Sequence, residues 1–186
     1  MPARSFLFNQ NPHWLVNRLG TRHALPKNLQ SWVYEPGSLT QRLRNCYGPG
    51  VAVRVLFQQW QSPFLTESQR LHLPCHRYSL IREVLLHIDN KPLILARTVL
   101  PQATINIAKR KLSNLGTRPL GEVIFSYPNL VRLETDICCI AEKIWTPQLK
   151  RQVAITGKTC GRRTVYAIDG QPMLVSEFFM PDALRC

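Results

Sequence analysis

The chain's 186 residues give room for one hydrophobic core and too little for two ordinary domains, and 45% hydrophobic against 19% charged residues excludes a disordered segment. A formal charge of +13 draws anions to the surface without selecting among them, and its Lys and Arg residues are scattered from Arg4 to Arg185 with no aromatic-interleaved block, so nucleic acid is not an expected partner. No apolar run reaches the roughly 20 residues that cross a bilayer, and Asn9, Gln10, Asn11, Pro12 and His13 interrupt the N-terminus where a signal core would lie; a cytoplasmic protein is expected.

The first fifty residues read as short helices and loops punctuated by Pro12, Pro26 and Pro36, with Trp14 and Trp32 as core anchors. Ser38-Leu39-Thr40-Gln41 has the form of a capping box opening a helix. From Val51, the residues Val51, Val53, Val55 and Phe57 alternate with Ala52, Arg54, Leu56 and Gln58, which predicts a strand with one apolar face. The same test gives strands over 80–88 and 93–99, joined by the turn residues Asp89-Asn90-Lys91-Pro92.

Residues 103–115 place Ile105, Ala108, Leu112 and Leu115 on one helical face, with Gly116 where a left-handed C′ residue is wanted. A further helix is expected to start near Pro119. Residues 140–161 read as an irregular basic connection. Residues 88–101 align without a gap on residues 168–181, each segment running strand end, turn, strand, proline, so two equivalent antiparallel hairpins are expected. The predicted fold is one α+β domain over 1–186, an antiparallel sheet with helices packed on one side.

Alternation then turns charge toward apolar faces. Arg82 shares a side with Leu80, Val84, Leu86 and Ile88; Glu177 with Met173, Val175 and Phe179; Arg97, at the repeat position of Glu177, with Leu93, Leu95 and Val99. An unpaired ion in a low-dielectric interior costs several kcal/mol, so each needs a partner, water or a ligand. Two readings stay open: internal Arg–Glu salt bridges, or a pocket for a ligand carrying a carboxylate for an arginine fork and a hydroxyl for the glutamate. Amides at the helix starts Leu39 and Leu120 are further donors for an anion. The six cysteines, Cys46, Cys75, Cys138, Cys139, Cys160 and Cys186, form no C-x-x-C or zinc-spaced cluster and are expected as reduced thiols, with no metal.

Five blocks in one order, Ser38-Leu-Thr-Gln-Arg-Leu43, Leu80-Ile-Arg-Glu-Val-Leu-Leu86, Ala96-Arg-Thr-Val-Leu-Pro101, Leu115-Gly-Thr-Arg-Pro-Leu-Gly121 and Ser176-Glu-Phe-Phe-Met-Pro181, resemble the chorismate pyruvate-lyase family, with Gly161-Arg-Arg163 leading into the last hairpin. The resemblance implies a monomer on a six-stranded antiparallel sheet, helical flaps over an enclosed pocket, and conversion of chorismate to 4-hydroxybenzoate and pyruvate without a cofactor. By position it implies that Arg82 meets the product carboxylate, Glu177 the phenolic oxygen, and Leu39 and Leu120 supply contacts from helix starts. Leu39 stands where a methionine can occur. Arg97 is expected to steady the enolpyruvyl carboxylate or its ether oxygen. An enclosed pocket implies product inhibition with slow release. The family context implies ubiquinone biosynthesis and transient association with a membrane or a membrane prenyltransferase. The rival expectation is a non-catalytic sensor, because effector-binding domains of GntR-type regulators share this fold; the residues before Trp32 are too few for the DNA-binding domain such regulators carry.

Overall fold

The computed structural model describes residues 4–17, 21–74, 76–180 and 184; Pro181, Cys75 and Cys186 lie outside the described residues. A single antiparallel sheet organises them. Its strands are β1 (Leu15–Val16), β2 (Ala52–Gln61), β3 (Ser79–Ile88), β4 (Lys91–Pro101), β5 (Leu130–Ile140), β6 (Thr159–Ile168) and β7 (Gln171–Phe179), in the spatial order β1-β5-β6-β7-β4-β3-β2. That is seven strands where six were expected; the seventh is the two-residue β1, paired with Ile137 and Asp136 of β5. Six helices accompany it: α1 (Lys27–Val33), α2 (Leu39–Tyr47), α3 (Leu65–Arg70), α4 (Gln102–Ile107), α5 (Leu120–Ile124) and α6 (Pro147–Lys150).

The two repeated segments are the hairpins β3–β4 and β6–β7, which meet through β4 and β7 at the centre of the sheet. Both turns carry an aspartate in the left-handed region, Asp89 at φ 49° and Asp169 at φ 46°. The hairpins differ by one residue. In the first, Leu86 pairs with Ile94 but His87 pairs with Pro92, leaving Leu93 as an extra residue in β4. A bulge of this kind reverses the facing of everything beyond it. The second hairpin runs from Ile168–Gln171 to Cys160–Phe179 without a shift.

Helices cover both faces of the sheet, not one. Ile105 beside α4-facing Leu100, Met173 and Val175 builds one cluster, and α1, α2 and α5 lie on that same face. On the other, Glu67 of α3 reaches Arg97, while Trp145 and Phe8 meet Phe178 edge-on at 5.3 and 5.1 Å. The reason is in the central strands: every residue of β6 is buried, so both faces demand a cover. Trp32 is fully buried in α1, whereas Trp14 lies outside any helix, its ring 5.6 Å from Phe178.

Three local expectations change. The helix expected over 103–115 closes at Ile107 on a Schellman pattern, with Lys109 N–H donating to Asn106 O and Arg110 N–H to Ile105 O, both residues at positive φ. Ile105, Ala108, Leu112 and Leu115 are nevertheless all buried, and Gly116 is left-handed at φ 54°. At α2, Ser38 Oγ accepts from Gln41 N–H, but the Gln41 side chain turns to Asn45, so only half of the capping box forms. The 140–161 connection contains a 3-10 turn (Glu142–Ile144) and α6, capped by Thr146.

Cys139 and Cys160 are joined by a disulfide, and Cys46 is disulfide-bonded as well, correcting the expectation of reduced thiols at these three positions. Cys139 and Cys160 stand directly opposite each other on β5 and β6, and it is strand register, not spacing along the chain, that brings the sulfurs together. Cys138 next to it is a buried free thiol that burial pushes up to about 12, against the opposing pull of Arg163, so it stays neutral.

Candidate active site

One face of the four central strands forms the floor of a cavity of about 50 Å³, and the first turns of α2 and α5 form its roof. At about 10–15 Å³ per water-sized occupant, this holds about three to five of them. Arg82 comes from β3, Thr98 from β4, Glu177 from β7, and Arg162 with Tyr166 from β6. Leu39 and Thr40 of α2 and Leu120 of α5 look down on them. The roof helices are held together by the Arg44–Glu122 ion pair and by a close approach at Gly121, where a Cβ would lie 2.8 Å from Ser38 Oγ.

Arg82, Glu177, Leu39 and Leu120 thus line one cavity. Across the sheet Arg82 pairs with Thr98, Thr98 with Val175, and Glu177 lies two residues further on. Two strand spacings and two residues of rise separate their Cα atoms by about 12 Å.

Arg82 is 2% exposed. Its Nη1 donates to Gln58 Oε1 at 2.8 Å, and Nη2 donates to Gly116 O at 2.9 Å and Arg118 O at 3.4 Å, all neutral acceptors. No carboxylate pairs with it among the described residues. Burial lowers its pKa, the signature of a cation without a compensating anion. Three of the five donors of a guanidinium are committed, and the remainder are available to a ligand.

Glu177 is held from one side only. Its Oε2 accepts from Arg162 Nε at 2.7 Å, its side chain is 15% exposed, and Oε1 has no donor among the described residues. Arg162 also donates to Val33 O and Glu35 O at the end of α1. Burial works against the Arg162 cation, but Glu177, Tyr166 and Glu35 outweigh it and raise its pKa. Tyr166 Oη accepts from Arg132 Nη2 at 2.9 Å, and its ring meets Phe125, the residue that caps the end of α5, edge-on at 6.0 Å.

Arg97 does not belong to this space. The extra residue at Leu93 turns it to the opposite face, where Nε and Nη2 meet Glu67 at 2.8 and 3.0 Å and Nη1 meets Glu83 at 2.6 Å. Burial penalises the cation, but the two carboxylates more than offset that and raise its pKa. The expected contact of Arg97 with an enolpyruvyl group is therefore replaced by a buried ion triad with no access to the cavity.

A family model described as chorismate lyase matches residues 10–184. The "probable chorismate pyruvate-lyase" of Methylococcus capsulatus is 40% identical over 156 residues, spanning 84% of this chain and 96% of its own. That of Hydrogenovibrio crunogenus is 32% identical over 185 residues, covering 98% of each. The chain belongs to the chorismate lyase family. Among solved structures, a GntR-family transcriptional regulator from Bacillus cereus superposes with a TM-score of 0.56 at 13% identity, over 74% of this chain and 96% of that one. That likeness is one of fold.

For a chorismate lyase family member, the polar cavity residues that the sequence reading does not single out are Thr40, Thr98, Arg162 and Tyr166. Arg162 lies 80 positions after Arg82, the same offset that relates the hairpins, so extending the repeat backward from Ile88 and Ile168 would have found it. Nothing in the local pattern marks Tyr166.

Gly161 controls how closely β6 and β7 approach beside Glu177. A Cβ there would lie 2.6 Å from Glu177 O and 2.8 Å from Phe178 Cδ1. Gly161→Ala is expected to push β7 outward and to cost about 1–3 kcal/mol of stability, seen as a lower Tm in a thermal melt. An unchanged Tm would show that the strand pair can absorb the methyl.

Proposed function

We propose that this protein is a cofactor-independent chorismate pyruvate-lyase, converting chorismate to 4-hydroxybenzoate and pyruvate for ubiquinone biosynthesis, as a cytoplasmic monomer. The observation that carries the reading is the buried Arg82, without an acidic partner among the described residues, facing the same cavity as the half-satisfied Glu177. Arg82 anchors the ring carboxylate, helped by first-turn amides at Leu39 and Leu120, and Glu177 accepts the hydrogen bond of the ring hydroxyl.

In the reaction the ring carbon bearing the hydroxyl loses its hydrogen, and the neighbouring carbon–oxygen bond to the enolpyruvyl group breaks. The hydrogen passes to the enolpyruvyl methylene, which becomes the methyl of pyruvate, and the ring becomes aromatic. Atoms balance with no added reagent. The protein's task is to hold the side chain in a reactive pose.

The roof helices act as flaps that open to exchange ligand, so release of 4-hydroxybenzoate is slow and limits the steady rate. A stopped-flow mix of enzyme with chorismate is expected to show a burst of 4-hydroxybenzoate absorbance close to the enzyme concentration, then a slower linear phase. A linear trace from time zero removes slow release, and absence of 4-hydroxybenzoate removes the lyase reading. No helix among the described residues is long and apolar enough to cross a membrane, and hand-over of product to a membrane prenyltransferase would use the basic surface.

A further inference from the structure

Tyr166 is 3% exposed, lines the cavity and has spent only half of its hydrogen-bonding capacity. Its oxygen accepts from Arg132 Nη2, whose other bonds go to Glu35 O and Pro36 O in the segment leading to α2. The phenolic hydrogen has no acceptor among the described residues. A buried hydroxyl normally uses its donor, so the partner is to be sought in the cavity. Burial, reinforced by Glu177, raises the Tyr166 pKa above the ordinary phenol value, so the proton is retained.

Glu177 presents the complementary deficit. Its Oε1 is an acceptor without a donor among the described residues, and it lies on the same cavity wall as Tyr166. A ligand hydroxyl satisfies both at once: it donates to Glu177 and accepts from Tyr166. A ligand hydrogen or ether oxygen at that point satisfies at most one.

We infer that Tyr166 is a specificity-determining residue whose O–H donates to the ring hydroxyl oxygen of the ligand while Glu177 accepts the proton of that same hydroxyl. This rests on the proposed lyase reading, and it adds to it a second, oppositely polarised contact that distinguishes a hydroxylated ring from its unsubstituted analogue. The Arg132 bond fixes the phenol oxygen, so the O–H swings about a fixed point. The ring's edge-on contact with Phe125 holds the same group against the roof.

Tyr166→Phe removes the donor and keeps the ring on Phe125. Titration calorimetry with 4-hydroxybenzoate and with benzoate, on wild type and variant, separates the contact from a structural effect. The expected result is a roughly tenfold rise in the Kd for 4-hydroxybenzoate, with benzoate changed less than about twofold. Equal losses for both acids would make Tyr166 a scaffold for Arg132 and overturn the inference, as would no loss for either. Wild type that binds neither acid and leaves chorismate unchanged would overturn the lyase reading itself, an outcome distinct from the other two.

Discussion

Arg82→Met is expected to lower kcat/KM for chorismate by about 100- to 1,000-fold, the usual cost of removing one charge-assisted contact that strengthens in the transition state. The structural basis is the contrast among the buried arginines. Arg97, Arg162 and Arg163 each face a carboxylate at 3.1 Å or less, whereas Arg82 holds only the amide oxygen of Gln58 and carbonyls of the 116–118 segment. Neutral acceptors fix a guanidinium in place without cancelling its charge, which leaves the full field for an incoming carboxylate. The same reasoning fixes the sign of the stability change. Methionine fills the volume and removes a desolvated cation, which offsets the lost bonds to Gly116 and Arg118, so Tm is expected to stay within a few degrees of wild type. Arg82→Lys keeps the charge but loses the fork, and should recover only part of the activity. Near-normal steady-state turnover by Arg82→Met would remove Arg82 as the anchor.

Period-two alternation was enough to bring Arg82 and Glu177 to one side, because β3 is read outward from a turn that the sequence marks clearly and β7 follows its turn without a shift. Alternation also groups Arg97 with Leu95 and Val99, as the register does, but the repeat equivalence of Arg97 with Glu177 does not carry Arg97 into the cavity, for a nameable reason. One extra residue at Leu93 reverses β4, and a proline-leucine step at the start of an apolar strand carries no sign of it. The expectation of helices on one side failed because it treated the apolar side of each strand as its only buried side. Leu85, Leu95 and Leu174 are as buried as Val84, Ala96 and Val175. Short-range pattern also says nothing of β1 on β5, or of Cys139 meeting Cys160, since both depend on which distant segments become neighbours. The inward charges divide between the two faces of the sheet: Arg97 closes into salt bridges on one, while on the other Glu177 pairs with Arg162 and Arg82 faces the cavity without a carboxylate among the described residues.

Glu83→Ala is expected to destabilise the protein by about 3–5 kcal/mol, the cost of leaving a buried partner charge without its counter-ion. Glu83 follows Arg82 on β3 and so points to the other face, which is why it neutralises Arg97 and not its neighbour. It is fully buried, and besides Arg97 its carboxylate accepts from Ser5 Oγ and Phe6 N at 2.6 Å and from Leu7 N at 3.2 Å. One side chain therefore ties the N-terminal segment, β3 and β4 together, while α3 closes the triad through Glu67. Removing it leaves Arg97 with Glu67 alone, strips the Phe6 amide of its acceptor and leaves the Leu7 amide with Ser5 Oγ alone. For a chain of this length such a loss lowers Tm by about 10 °C or more. The cavity face is untouched, so at temperatures where Glu83→Ala remains folded its KM for chorismate should be within about threefold of wild type. Differential scanning calorimetry together with steady-state kinetics at low temperature gives both numbers. A stable variant with impaired turnover would reverse the assignment and place Arg97 in the chemistry instead of in the scaffold.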